Sequence, residues 1–144
     1  MKLLFDTSVI VAASLPKHPG HTPCFDQLQA AKAKRIQGYF STHSVAEFYS
    51  VMTRMPSQPR MSPKEAWTLI KQYLHYLNAI PLEVADYLEA VAQMSILNIP
   101  GGGIFDALIA QAAFKVGVDR ILTLNPNHFN RLSDEIAQII EVPK

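Results

Sequence analysis

Short apolar runs alternate along this chain with longer stretches in which apolar residues recur every three or four positions. The first run, Lys2 to Phe5, reads as a buried strand. Ser8-Val9-Ile10-Val11-Ala12-Ala13 follows as one or two helical turns. Pro16, Pro19, Gly20 and Pro23 then break the pattern and predict a loop. From Thr22 to Arg35 the chain is rich in Ala, Gln, Leu and Lys, which favour helix. Gly38-Tyr39-Phe40-Ser41-Thr42 predicts a second strand. Val45, Phe48, Tyr49 and Met52 line one face of the next helix, which Pro56 and Pro59 end. Ser62-Pro63 opens another, with Ser62 at the cap and Pro63 at the first helical position. Trp67, Ile70, Leu74 and Leu77 give it an expected core stripe. Ala79-Ile80-Pro81-Leu82 predicts a third strand, with Pro81 marking an edge or an end. Glu83 to Leu97 reads as a helix with Val84, Leu88 and Val91 facing inward. Pro100 and three glycines precede a helix from about Ile104 to Val116, closed by Gly117 as its C-cap. Arg120-Ile121-Leu122-Thr123 and Gln138 to Val142 predict the fourth and fifth strands.

Strands alternating with helices argue for an α/β layer fold around a mainly parallel sheet. The 144 residues suit one domain, 1–144, with a core of its own. Hydrophobic residues make up 49% and charged residues 17%, a globular rather than disordered balance. The longest apolar run falls far short of the ~20 residues a membrane helix needs, so no membrane role is expected. The apolar part of the start is too short for a secretory signal. Cys24 is the single cysteine, which rules out an internal disulfide and suits a reducing, cytoplasmic setting. The formal net charge of +1 neither supports nor excludes a nucleic-acid partner. Lys32, Lys34 and Arg35 form one small basic cluster, and Arg54 with Arg60 a second; both read as solvated faces.

Three acids stand where apolar residues surround them. Asp6 closes the first strand, Glu47 lies in Ser44-Val45-Ala46-Glu47-Phe48-Tyr49, and Asp106 opens the helix Ile104-Phe105-Asp106-Ala107. Each has a local explanation. Asp6 before Thr7-Ser8 can cap a helix. Ser44 to Glu47 fits a capping box. Asp106 in a first turn suits the helix dipole. Taken together the three point another way, because strand ends and helix starts in such a fold share one edge of the sheet, where ligands gather. If the three carboxylates converge to ~5 Å, repulsion is about 3 kcal/mol per pair at an effective dielectric of ~20. A hard divalent cation with oxygen ligands offsets that cost.

These residues also resemble a family. Asp6-Thr7-Ser8-Val9-Ile10, Ser44-Val45-Ala46-Glu47 and Phe105-Asp106-Ala107-Leu108-Ile109-Ala110 resemble the three acidic motifs of PIN-domain ribonucleases. Gly117 to Asn125, followed by Phe129, is similar to that family's last motif. The resemblance spans nearly the whole chain, in order. It implies a three-layer α/β/α sandwich and metal-dependent endonuclease cleavage of RNA, with Mg²⁺ or Mn²⁺ on Asp6, Glu47 and Asp106. It further implies a VapC-like toxin of a type II toxin–antitoxin system, paired with an antitoxin protein and forming a homodimer. One departure stands out. The last motif often carries an acid two residues after its Thr, and this chain has Asn125 there. Asn offers a neutral oxygen or amide but no charge. Three carboxylates balance one divalent ion with one negative charge over, so one firmly held ion is expected and a second only with the RNA phosphate. Ser8, Thr123 and Asn125 are candidates for holding the acids or the substrate.

Other chemistries lack their motifs. Gly101-Gly102-Gly103 has no Lys-Ser/Thr after it and no G-x-G-x-x-G spacing; it more simply lets the backbone pass near Asp106 or turn tightly. His18, His21, His43, His75 and His128 show no zinc spacing. His128 lies near Asn125 but reads first as a loop histidine. No nucleophile elbow supports a serine hydrolase. A phosphatase of the Asp-x-Asp kind would want a second acid at Ser8. The main competing reading is a catalytically weak relative that binds RNA or a protein partner through the same cleft.

Overall fold

The strand that opens the chain, Lys2–Phe5 (β1), lies at the centre of the sheet because both its faces are covered. Leu3 and Phe5 join the core on one face, Leu4 the core on the other, as the two-residue period of a strand requires. In the computed structural model, which describes residues 1–56 and 60–144, the remaining elements follow in a regular βα order. They are α1 (Thr7–Ser14), α2 (His21–Lys32), β2 (Gln37–Ser41), α3 (Thr42–Arg54), α4 (Pro63–Tyr73), β3 (Leu77–Ile80) and α5 (Val84–Leu97). After these come α6 (Gly103–Val116), β4 (Arg120–Leu122), α7 (Pro126–Asn130), α8 (Asp134–Ala137) and β5 (Ile140–Glu141).

Among the described residues five strands run in the order β3-β2-β1-β4-β5, and every pairing there is parallel. The α/β class and the three layers expected from the sequence are both present. Helices α1 to α4 contribute Ile10, Leu28, Phe48 and Ile70 to the core over one face. Helices α5 to α8 contribute Met94, Leu108, Phe129 and Ile136 over the other. The chain lays down β2 and β3 on one side of β1 and β4 and β5 on the other, so the strand order reverses at β1. In open α/β sheets a cleft forms at such a point, beyond the C-terminal strand ends. Asp6 follows β1 directly and therefore enters that cleft.

Several expected details shift. Pro23 lies inside the first turns of α2 rather than in the preceding loop, where its missing N–H costs no helical bond. Thr42 opens α3 instead of ending β2, and Ser41 caps that helix. Strand β3 spans Leu77–Ile80, two residues earlier than expected, and Pro81 follows it as an end on the edge strand. Leu77 is thus a strand core residue, while Trp67 and Leu74 of the expected stripe are exposed; Ala66, Ile70 and Tyr73 face inward on α4. On α5 the expected face is reversed: Val84, Leu88 and Val91 are exposed, and Ala90 and Met94 are buried. Helix α5 carries apolar residues on two sides, so periodicity alone does not choose between them. The packing against Ala-rich α6 selects the side bearing Ala90, where two helices can approach closely. Short helices α7 and α8 are additional. Pro59 lies outside the described residues.

Gly117 ends α6 at φ 71°, a left-handed cap as expected. Gly38 is fixed by space instead. A Cβ there would stand 2.5 Å from Leu77 Cδ2, 3.0 Å from Ala31 Cβ and 3.3 Å from Phe5 Cε2. Gly38→Ala is expected to lower the unfolding free energy by about 1–3 kcal/mol, the usual cost of overpacking a filled core. Urea denaturation checks this, with the midpoint falling and the slope unchanged.

Candidate active site

Asp6 holds the N-cap position of α1, yet its side chain makes no capping bond. Its Oδ2 instead accepts hydrogen bonds from Ser8 Oγ at 2.7 Å and Thr123 Oγ1 at 2.7 Å. Each hydroxyl in turn accepts a backbone N–H: Leu124 donates to Ser8 at 3.1 Å and Asn125 to Thr123 at 3.0 Å. One carboxylate oxygen thereby ties the turn after β1 to the turn after β4. Asp6 is 4% exposed. Burial pushes its carboxyl above the usual range, the Thr123 and Ser8 bonds pull the other way, and the charge of Glu47 raises it further.

Glu47 sits in the second turn of α3. The capping box suggested by Ser44 and Glu47 is absent: the cap is Ser41, whose Oγ accepts from the Ser44 amide at 3.2 Å. Glu47 Oε2 pairs with His43 Nε2 at 2.9 Å, one helical turn earlier. The His43 ring stacks on Phe105, with centroids 4.8 Å apart and planes 11° from parallel. Thr7 Oγ1 donates to Ser44 Oγ at 2.9 Å and locks the start of α1 against α3.

Asp106 is the acid of the first turn of α6. Its carboxyl is pushed up to about 6 by burial and by Asp6, with a smaller rise from Glu47; His128 and Arg131 oppose this. His128 Nδ1 lies 3.8 Å from Asp106 Oδ2. Gly103, just before, is required by space: a Cβ would meet Ile99 Cγ2 at 2.4 Å and an Arg131 guanidinium nitrogen at 3.0 Å. Of the glycine run only Gly103 is confined in this way; Gly101, at φ 64°, serves a turn, and both Gly101 and Gly102 face open space.

All three acids, with Ser8 and Asn125, line one cleft of about 1060 Å³. Thr123 is fully buried beneath it and reaches the cleft only through Asp6. Asn125 is exposed, and among the described residues its side chain makes no hydrogen bond. Arg54, Arg131, His18 and His128 line the same cleft. Among the described residues no Lys or Arg forms an ion pair with any of the three acids. Nor, among the described residues, do three or more His, Cys, Asp or Glu side chains stand close enough as placed to hold a metal ion together. The donor set is nonetheless hard oxygen, partly buried and mutually repelling, which suits a divalent cation rather than zinc or a soft metal.

Residues 3–135 match the family described as the PIN domain. The chain belongs to the PIN-domain family. A curated relative, Ribonuclease VapC27 of Mycobacterium tuberculosis, is 31% identical over 111 residues, 77% of this chain and 76% of the relative. Among solved structures, VapBC2 from Rickettsia felis, bound to a promoter DNA fragment, superposes with a TM-score of 0.70 at 21% identity over the full length of both chains. VapC20 of Mycobacterium tuberculosis, a sarcin–ricin-loop-cleaving toxin, gives 0.66 at 16% identity over 83% of this chain and 86% of that one. The PIN resemblance and the sandwich fold expected from the motifs are therefore borne out. The sequence assigns no site role to His43, Phe105 or Arg131, and His128 reads from it as a loop histidine; the fold puts all four in the cleft. His43 was legible as a residue four before Glu47. Arg131 had no local signal, because only the fold brings it beside Asp106.

An acid whose folded-state pKa is raised above its ordinary value binds its proton more tightly when folded. Asp106 thus costs stability increasingly as pH rises from about 4 to about 6, and fully above that. In metal-free protein Asp106→Asn should raise the melting temperature at pH 7. It should also shrink the stability gained on acidifying to about pH 5. Melting curves in EDTA check both; an unchanged or lower value at pH 7 contradicts the repulsion.

Proposed function

We propose that this PIN domain is a metal-dependent endoribonuclease, the toxin of a type II toxin–antitoxin pair. The observation that carries the proposal is the opening of Asp6, Glu47 and Asp106, from three separate places in the chain, onto one cleft, with no Lys or Arg among the described residues paired to them. The ribonuclease names of the curated relatives support the same reading. Asp6, Glu47 and Asp106 would hold Mg²⁺ or Mn²⁺. Such an ion, when bound, lowers the pKa of water and neutralises charge on a phosphodiester.

The chain's own groups prepare the site. Ser8 and Thr123 fix Asp6 so that one carboxylate oxygen is committed to the protein. His43 fixes Glu47 from within its own helix. Arg54 and Arg131 supply positive charge for RNA phosphates in the same cleft. Asn125 gives a neutral hydrogen-bonding group where the family's last motif often has an acid, which supports one firmly held ion.

The partner belongs to this reading too. VapBC2 is the kind of assembly this fold enters, which supports a cognate antitoxin here. The exposed stripe of Val84, Leu88 and Val91 on α5 supports a homodimer, since a two-fold axis would set such a stripe against its own copy. Among the described residues no helix is long and apolar enough to cross a membrane. Action on cellular RNA would place the protein in the cytoplasm.

Cleavage of a mixed RNA pool with Mg²⁺ or Mn²⁺ tests the activity, with EDTA as control. Asp6→Ala, Glu47→Ala or Asp106→Ala should each lower the rate by orders of magnitude. Asn125→Ala should cost less, because a neutral contact stabilises less than a charged one. Cleavage that persists in EDTA, or survives Asp6→Ala, removes the metal mechanism. Wild-type protein that binds RNA yet stays inert with either metal would instead select the binding-module reading, which Asn125 favours.

Either metal should also raise the melting temperature by binding the native state, and Asp106→Asn should weaken that response. Leu88→Glu should leave a monomer in light scattering if the α5 stripe is the dimer face.

A further inference from the structure

Phe105 is 45% exposed although it stands at the start of a helix whose next five residues are buried or, at Asp106, nearly so. It lines the acidic cleft. Its ring lies nearly parallel to that of His43, which covers one face. The side chain of His43 is only 16% exposed and is bonded to Glu47, so it forms a fixed backing. The exposure left to Phe105 is therefore its other face and edge, turned to the cleft. The plate adjoins Asp106 in sequence and is one hydrogen bond from Glu47 through His43.

We infer that Phe105, backed by His43, is a stacking platform for one unpaired base of the RNA beside the cleaved phosphate. The inference rests on the ribonuclease reading above and assigns to one residue, Phe105, the contact with an unpaired base. A base within a duplex has both faces covered by its neighbours, whereas an unpaired base can turn out and stack on an aromatic ring. The charge of the cleft fits the same occupant. Arg54, Arg131 and His128 line the same cleft and offer positive charge for the phosphates flanking a stacked base. A flat ring held parallel to a second ring presents a π face, which any base accepts without regard to its identity. The platform therefore selects strandedness rather than sequence.

Two measurements test this, both on full-length protein checked by its melting curve. The first is cleavage kinetics with Mn²⁺ on a mixed-sequence single strand and on the same strand annealed to its complement. The second is fluorescence of an RNA carrying 2-aminopurine, with Ca²⁺ in place of Mn²⁺, where stacking on an aromatic ring quenches emission. Wild type should prefer the single strand and quench. Phe105→Ala should raise KM for the single strand roughly tenfold, as loss of one base–aromatic stack does, and should not quench. Phe105→Tyr should retain both properties, while Phe105→Leu, with apolar bulk but no ring, should lose them.

If wild type cleaves but Phe105→Ala or Phe105→Leu matches it in KM and quenching, the platform is overturned and the ribonuclease reading stands. That result would leave Phe105 as a contact for a protein partner. If wild type neither cleaves nor binds RNA under either condition, both readings fall.

Discussion

Asp6 is an ionisable carboxyl at the end of the central strand, almost out of contact with water, with no Lys or Arg paired to it among the described residues. Burying a charge in this way is tolerated only where hydrogen bonds or an ion compensate it. Here two hydroxyls share one of its oxygens, and each hydroxyl is itself oriented by a backbone amide. The arrangement joins the turns after β1 and β4, the two strands that meet where the order of the sheet reverses. The mouth of the cleft is thus set by bonds to one carboxylate, and the other parts of the site are placed relative to it.

Those other parts extend the same constraint. Glu47 and Asp106 both push the Asp6 carboxyl or are pushed by it, so the three form one electrostatic unit although they come from three different helices, at a cap, a second turn and a first turn. Histidines rather than lysines stand beside the outer two acids. The Arg131 guanidinium also acts on Asp106 without forming an ion pair with it. Asn125 lowers the negative charge of the mouth relative to a site with a fourth acid. The rim carries Arg54 and Arg131. The cleft thus combines an acidic cluster with two exposed arginines.

The remainder of the surface divides unevenly. Cys24 is buried, and burial pushes its thiol up to about 11, so it serves packing rather than redox chemistry. The basic residues Lys32, Lys34 and Arg35 are exposed and lie away from the acidic cleft, in keeping with a solvated face. The apolar stripe of α5 is different in kind: a run of branched side chains at helical spacing left uncovered by the chain itself.

The sequence by itself determined the βα alternation, the parallel sheet and the positions of Asp6, Glu47 and Asp106 within their elements. These follow from local rules: apolar runs of strand length, glycine and proline at breaks, and acids set into apolar segments. It also determined the family, because four loose motifs in the right order constrain one another. What lay beyond it needed distances between segments remote in sequence. The apolar side of α5 that turns inward was decided by its packing against α6, which buries Ala90 and Met94 in a shared core and which periodicity does not encode. Thr123 could be read as a cap until the fold set its hydroxyl 2.7 Å from Asp6, 117 positions away. The stack of His43 on Phe105 was hidden for the same reason. Each ring lies in an ordinary helical stretch, and only the packing of α3 against α6 brings them face to face.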